Sequence, residues 1–168
     1  MTTDTPLGPG YRVQIVREFD APRALVFECM THAEHMKRWW SPHGFTNPVA
    51  ESDPRVGGAW EIHMQGPGPF GINPVHGEWI ELSPPERMVF SARAFQGEDG
   101  RWGIDHVSTA VFEDLPDGRT RMTFETVVKH VSDALLPALG GMEAGWRQSF
   151  EKLNGLAAEL AMKAAFAQ

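Results

Sequence analysis

From Tyr11 to Phe19 apolar residues fall on alternate positions (Tyr11, Val13, Ile15 and, after a slip at Val16-Arg17-Glu18, Phe19), the period of a half-buried β-strand. Asp20 closes that run. Asp20-Ala21-Pro22-Arg23 reads as a helix start, with Asp20 or Ala21 near the N-cap and Pro22 in the first turn, where its missing N–H costs nothing. Leu25, Val26, Cys29 and Met30 give this short helix an apolar face. A second short helix runs through His32 to Arg38 and stops at Trp39-Trp40-Ser41-Pro42, because the residue before a proline is pushed out of the helical region.

The middle of the chain alternates with a period of two between clusters of turn residues at Asp53–Gly58, Gly66–Pro69, Pro84-Pro85, Gly97–Gly100 and Asp117-Gly118. It predicts six strands, over residues 45–51, 58–65, 75–83, 87–95, 105–114 and 120–129, joined largely by hairpins. Beyond Ser132 the helical period returns. Met142, Trp146, Phe150, Leu153, Ala157 and Leu160 recur every three or four residues on one face of a long C-terminal helix. The order strand, two short helices, six strands, long helix predicts an α+β fold: a curved antiparallel sheet wrapped around the C-terminal helix. Residues 1–10 read as a flexible lead-in, and 11–168 as a single domain.

If Trp60, Ile62, Met64, Trp79, Phe90, Phe112 and Phe124 are the inward strand positions, the space between sheet and helix is lined by aromatics and methionine. Met142, Trp146 and Phe150 face it from the last helix. Trp39 and Trp40 cannot both point inward from one short helix end unless a shaped hollow accepts them; either one caps the cavity or both anchor the small helices on the sheet. These twelve residues are the candidate ligand-binding set.

Charge narrows the partners. The 168 residues carry 15 basic and 22 acidic side chains, a formal net charge of −7, which repels phosphate backbones and excludes a nucleic-acid reading. The longest apolar segment, Ala134–Met142, is broken by Pro and Gly and falls far short of the ~20 residues of a membrane span. The first ten residues lack a cationic start and an apolar stretch, and Cys29 is the single cysteine; both point to the cytoplasm.

Five pieces in order resemble a known superfamily: Arg17–Arg23 with Val26-Phe27, Arg38–Phe45, Asp53–Trp60, Gly77–Phe90 and Gly141–Leu153. Over roughly residues 11–160 the chain resembles the SRPBCC, START-like or helix-grip proteins, in the branch similar to the activator of heat-shock-chaperone ATPase. The resemblance implies a hydrophobic cavity between sheet and C-terminal helix that serves, across the superfamily, for lipids, polyketides and other apolar ligands. The fold hosts binders and enzymes alike.

Candidate chemistry rests on the histidines. His32 and His35 share a helical spacing, but His43 and Glu34 complete no metal-binding motif around them, so neither metal nor cofactor is expected. His63 faces outward if Trp60, Ile62 and Met64 face inward. His76 and Glu78 share a parity with Ile80 and Leu82: turned inward, they place an acid–base pair in an apolar cavity, and turned outward they are a surface pair. His106 has the same two readings. The leading expectation is therefore binding of a hydrophobic small molecule, lipid-like, aromatic or polyketide-like. The alternatives are a cyclase, dehydratase or hydrolase working through His76, Glu78 or His106, and a co-regulator of a chaperone ATPase. Self-association into a homodimer through an exposed strand or the apolar Leu160–Phe166 end is a further expectation.

Overall fold

The computed structural model describes residues 6–167. The elements are β1 (Arg12–Phe19), α1 (Arg23–Thr31), α2 (Ala33–Trp39), β2 (Thr46–Ser52), β3 (Ala59–Gln65), β4 (Ile72–Ser83), β5 (Arg87–Gln96), β6 (Trp102–Asp114), β7 (Thr120–Val131) and α3 (Met142–Phe166), with 3-10 turns at Gly68–Phe70 and Asp133–Gly141. The seven strands form one antiparallel sheet in the order β1-β7-β6-β5-β4-β3-β2. Sequence-adjacent β1 and β2 thus lie at opposite edges, and α1 and α2 carry the chain from one to the other. The first element of the chain pairs with its last strand, and α3 packs back on β1, α1 and α2. The result is the expected α+β architecture.

Alternation determines which face is buried. Trp60 and Ile62 on β3, Val75, Gly77 and Trp79 on β4, Met88 to Ala94 on β5, Ile104 to Phe112 on β6 and Met122 to Val128 on β7 supply the inner face, each two residues from the next within its strand. Burying a side chain of this size contributes roughly 1.5–3 kcal/mol. On β1 there is no slip: the pairing with β7 is regular, Val16 is 61% exposed, and Arg17 occupies the inward position between Ile15 and Phe19. Its guanidinium lies 5.7 Å from the Phe19 ring centroid, which is how a cation fits a position the pattern reserves for an apolar residue.

Two local expectations change. Pro22, not Asp20, is the N-cap of α1. The Asp20 carboxylate instead accepts hydrogen bonds from Asn154 Nδ2 (3.0 Å) and Arg119 Nε (2.9 Å), which hold it below the usual carboxylate range and tie the β1–α1 corner to α3 and the β6–β7 hairpin. The helical period after Ser132 divides into the 3-10 segment Asp133–Gly141, which contains Pro137, and then α3. Of the predicted lead-in, residues 1–5 lie outside the described residues. Gly10 N–H donates to Val128 O at 2.7 Å, so the described part is already joined to β7.

Candidate functional site

Between the inner face of the sheet and the start of α3 lies a cavity of about 310 Å³. Its origin is a size gradient along the strands. One cross-strand row pairs Trp79 with Phe90, and those buried rings pack on each other and on Trp60. The next row runs Trp60, Gly77, Ala92, His106, and the one beyond it Ile62, Val75, Ala94, Ile104. In that last row Ala94, between Val75 and Ile104, leaves room where the aromatics stop, whereas the space over Gly77 is taken by the Trp60 indole. Trp40, Ser41, Pro42 and Phe45 close the space from the α2–β2 connection, Met64, Phe70 and Phe95 from the strand ends, and Leu135 and Ala138 from the 3-10 segment. Met142, Gly145, Trp146 and Ser149 of α3 complete the wall.

The two adjacent indoles divide the work between them. Trp39 is fully buried, and its Nε1–H donates to Cys29 O at 2.8 Å, which locks the end of α2 onto α1. Trp40 turns to the cavity and makes ring contacts with Trp60 (4.8 Å), Trp146 (5.4 Å) and Phe90 (6.1 Å). Of the sequence-derived set, Trp40, Met64, Met142 and Trp146 line the cavity. Trp39, Trp60, Ile62, Trp79, Phe90, Phe112, Phe124 and Phe150 also point inward, but they are packed in the core around it. Phe124 and Phe150 stack behind Trp146 at 4.7 and 5.4 Å and hold that ring in place.

His106 is the titratable residue of the wall. It is 8% exposed, and burial pushes its imidazole down to about 4, so the ring is neutral at physiological pH. Its Nδ1 meets Thr126 Oγ1 at 3.0 Å, and Thr126 Oγ1 accepts from Ser108 Oγ at 2.9 Å. Parity places all three on the inner face.

His76 and Glu78 are elsewhere. Val75, Gly77 and Trp79 take the inward parity of β4, so His76 and Glu78 lie on the outer face, where Glu78 is exposed. There the Glu61 carboxylate is shared by two imidazoles, His63 Nε2 and His76 Nδ1, the latter at 3.2 Å. His76 also leans on Trp102, with ring centroids 5.1 Å apart. Among the described residues no cluster of three or more His, Cys, Asp or Glu is arranged to hold a metal ion, and no helix is long and apolar enough to cross a membrane. Cys29 is buried in α1, and burial raises its thiol to about 12, which removes it as a nucleophile.

Sequence reasoning did not find Ser41, Phe45, Val75, Ala94, Phe95, Ile104, Leu135 or Ser149. The inward Ala94 on β5, between Val75 and Ile104, is the signal that could have located the space. Backbone strain, which only the structure displays, marks the same space. Ser41 (φ +93°) and Phe95 (φ +59°) are the non-glycine residues with left-handed backbone among the described ones, and both line the cavity.

Solved structures share this fold. A solution structure from Arthrobacter aurescens is 25% identical, with a TM-score of 0.74 over 88% of this chain and 86% of that one. A Chromobacterium violaceum protein (24% identity, TM-score 0.73) covers 89% of this chain and 99% of its own. The AHSA1 protein of Silicibacter pomeroyi (25% identity, TM-score 0.68) covers 90% and 99%. Comparison with curated proteins yields no match. The family described as "Activator of Hsp90 ATPase homolog 1-like protein" matches residues 20–158, most of the sheet and two-thirds of α3 included, and the chain belongs to that family, within the SRPBCC helix-grip superfamily.

Proposed function

We propose that this protein binds a hydrophobic small molecule in the cavity between the sheet and α3. The observation that carries the reading is the cavity itself: about 310 Å³, walled almost wholly by apolar side chains, with Trp40, Met64, Met142 and Trp146 among them. That volume is at the lower end of the ~300–1,000 Å³ typical of ligand sites, and suits a molecule of one or two fused rings or a short acyl chain. The strain at Ser41 and Phe95 supports it, since left-handed backbone at non-glycine residues costs on the order of 1–3 kcal/mol and clusters at ligand sites. The family description names a chaperone-ATPase activator, an activity that depends on a partner surface; the feature built into this chain is internal.

The test is native mass spectrometry of protein purified without detergent, with extraction of co-purifying molecules, alongside titration with the neutral two-ring dye Prodan. We expect either a bound apolar molecule or saturable dye binding. We expect Ala94→Phe, which fills the space from the β5 side, to abolish both while leaving the circular dichroism spectrum unchanged. An empty protein that binds no dye overturns the reading.

A further inference from the structure

Few polar residues belong to the wall, and two of them are unusual. Ser41 is 3% exposed, and its Oγ is buried with no hydrogen-bond partner among the described residues, a state that costs about 1–3 kcal/mol and is rare in folded proteins. The residue is also held at φ +93°, with its carbonyl tied down by Lys152 Nζ at 3.1 Å. The Oγ thus lies beneath the apolar wall rather than on it, and offers an entering molecule no contact.

His106 is the second. Thr126 Oγ1 accepts from Ser108 Oγ–H, and its own proton is free to donate to His106 Nδ1. A ring that accepts at Nδ1 carries its proton on Nε2. Among the described residues Nε2 makes no hydrogen bond, and the ring lines the cavity edge-on to Trp146, with centroids 6.2 Å apart. The strand neighbours of His106 are Ala92 and Val128, and no Lys, Arg, Asp or Glu belongs to the wall. Burial keeps the imidazole neutral, so it offers an N–H and no positive charge. A carboxylate or phosphate would enter with no counter-charge and lose its hydration.

We propose that the cavity takes an uncharged molecule with an apolar body and a carbonyl-type oxygen, which accepts a hydrogen bond from His106 Nε2–H. This rests on the cavity-binding reading above and narrows its ligand to neutral ketone-, lactone- or ester-like compounds.

Three probes of one shape separate the alternatives: indane, 1-indanone and indane-1-carboxylate, each titrated into the 15N-labelled protein by two-dimensional NMR. We expect 1-indanone to bind about two- to tenfold more tightly than indane, the worth of one hydrogen bond, and the carboxylate to bind more weakly than either. His106→Phe should erase the preference for the ketone while keeping indane binding. A long-range 1H–15N spectrum of the wild-type imidazoles should place the His106 proton on Nε2 and move that signal when 1-indanone is added, a readout that does not depend on any variant folding. Equal affinity for indane and 1-indanone, tightest binding of the carboxylate, or a proton on Nδ1 overturns this inference and leaves the cavity reading standing. Failure of all three probes while the dye still binds overturns this inference alone, and failure of the dye in an empty protein removes both.

Discussion

The neutral state of His106 is a cost that the folded protein carries below neutral pH. Above pH 6.5, the ordinary value for the group, native and unfolded chains both hold the imidazole uncharged. Below it the unfolded chain takes up a proton that the native ring, pushed down to about 4, refuses, so native stability falls as pH falls from 6.5 to 4. The whole loss is roughly 3 kcal/mol, about 2 kcal/mol of it by pH 5. The cause is burial alone, with Trp146, Thr126 and the apolar strand neighbours around the ring and no carboxylate among the contacts to rescue the cation. Urea unfolding of wild type and His106→Phe at pH 7.5 and pH 5 isolates it: the wild type should lose about 2 kcal/mol more than the variant across that interval. Parallel losses in the two proteins would mean that the ring protonates in place.

At the scale of elements, the rows of the sheet explain both the cavity and the sensitivity of its floor. A Cβ at Gly77 would lie 2.1 Å from Trp60 Cε2 and 2.2 Å from Ser91 O, so the indole of β3 rests directly on the backbone of β4. Gly77→Ala must displace either a buried ring or a paired strand, and should cost about 3 kcal/mol or more in urea unfolding. Gly155 on the exposed side of α3 is the contrast: its Cβ would meet nothing within 4 Å, and Gly155→Ala should stabilise by about 1 kcal/mol. Much of this layer was legible beforehand. A period of two located β3, β5 and β7 to within two residues at each end, because each strand buries one face and exposes the other. β4 and β6 begin three residues earlier than their patterns suggest, since Pro74 and Gly103 read as turn residues yet are accommodated within paired strands. Periodicity also oriented Trp60, Trp79 and Phe90 correctly. It could not say that these rings fill their space while Val75 and Ala94 leave theirs empty, because a cavity depends on what packs above each row, and Ser41, Leu135 and Ser149 arrive there from distant parts of the chain.

Across the whole molecule one buried thiol reports how far these layers open together. Cys29 has no exposed surface, and burial raises its thiol to about 12, so a thiol reagent at neutral pH meets neither an accessible sulfur nor a thiolate. Exposing it requires α1 to leave α3, β6 and β7, and the same movement breaks the hydrogen bond from Trp39 Nε1 to the Cys29 carbonyl. Trp39 in turn anchors the end of α2, from which Trp40, Ser41 and Pro42 enter the cavity wall. The opening that frees the thiol should therefore dismantle the ligand site. Labelling should run at least about 10³-fold more slowly than that of an unfolded peptide thiol. A ligand that binds only the closed form should slow it further by the factor 1 + [L]/Kd, about elevenfold at ten times Kd. Measured as a labelling rate against 1-indanone concentration, that dependence should return the same Kd as the direct titration. A rate indifferent to saturating ligand would mean that α1 opens by itself while the cavity wall stays assembled, and that the two helices between β1 and β2 are separate units of stability.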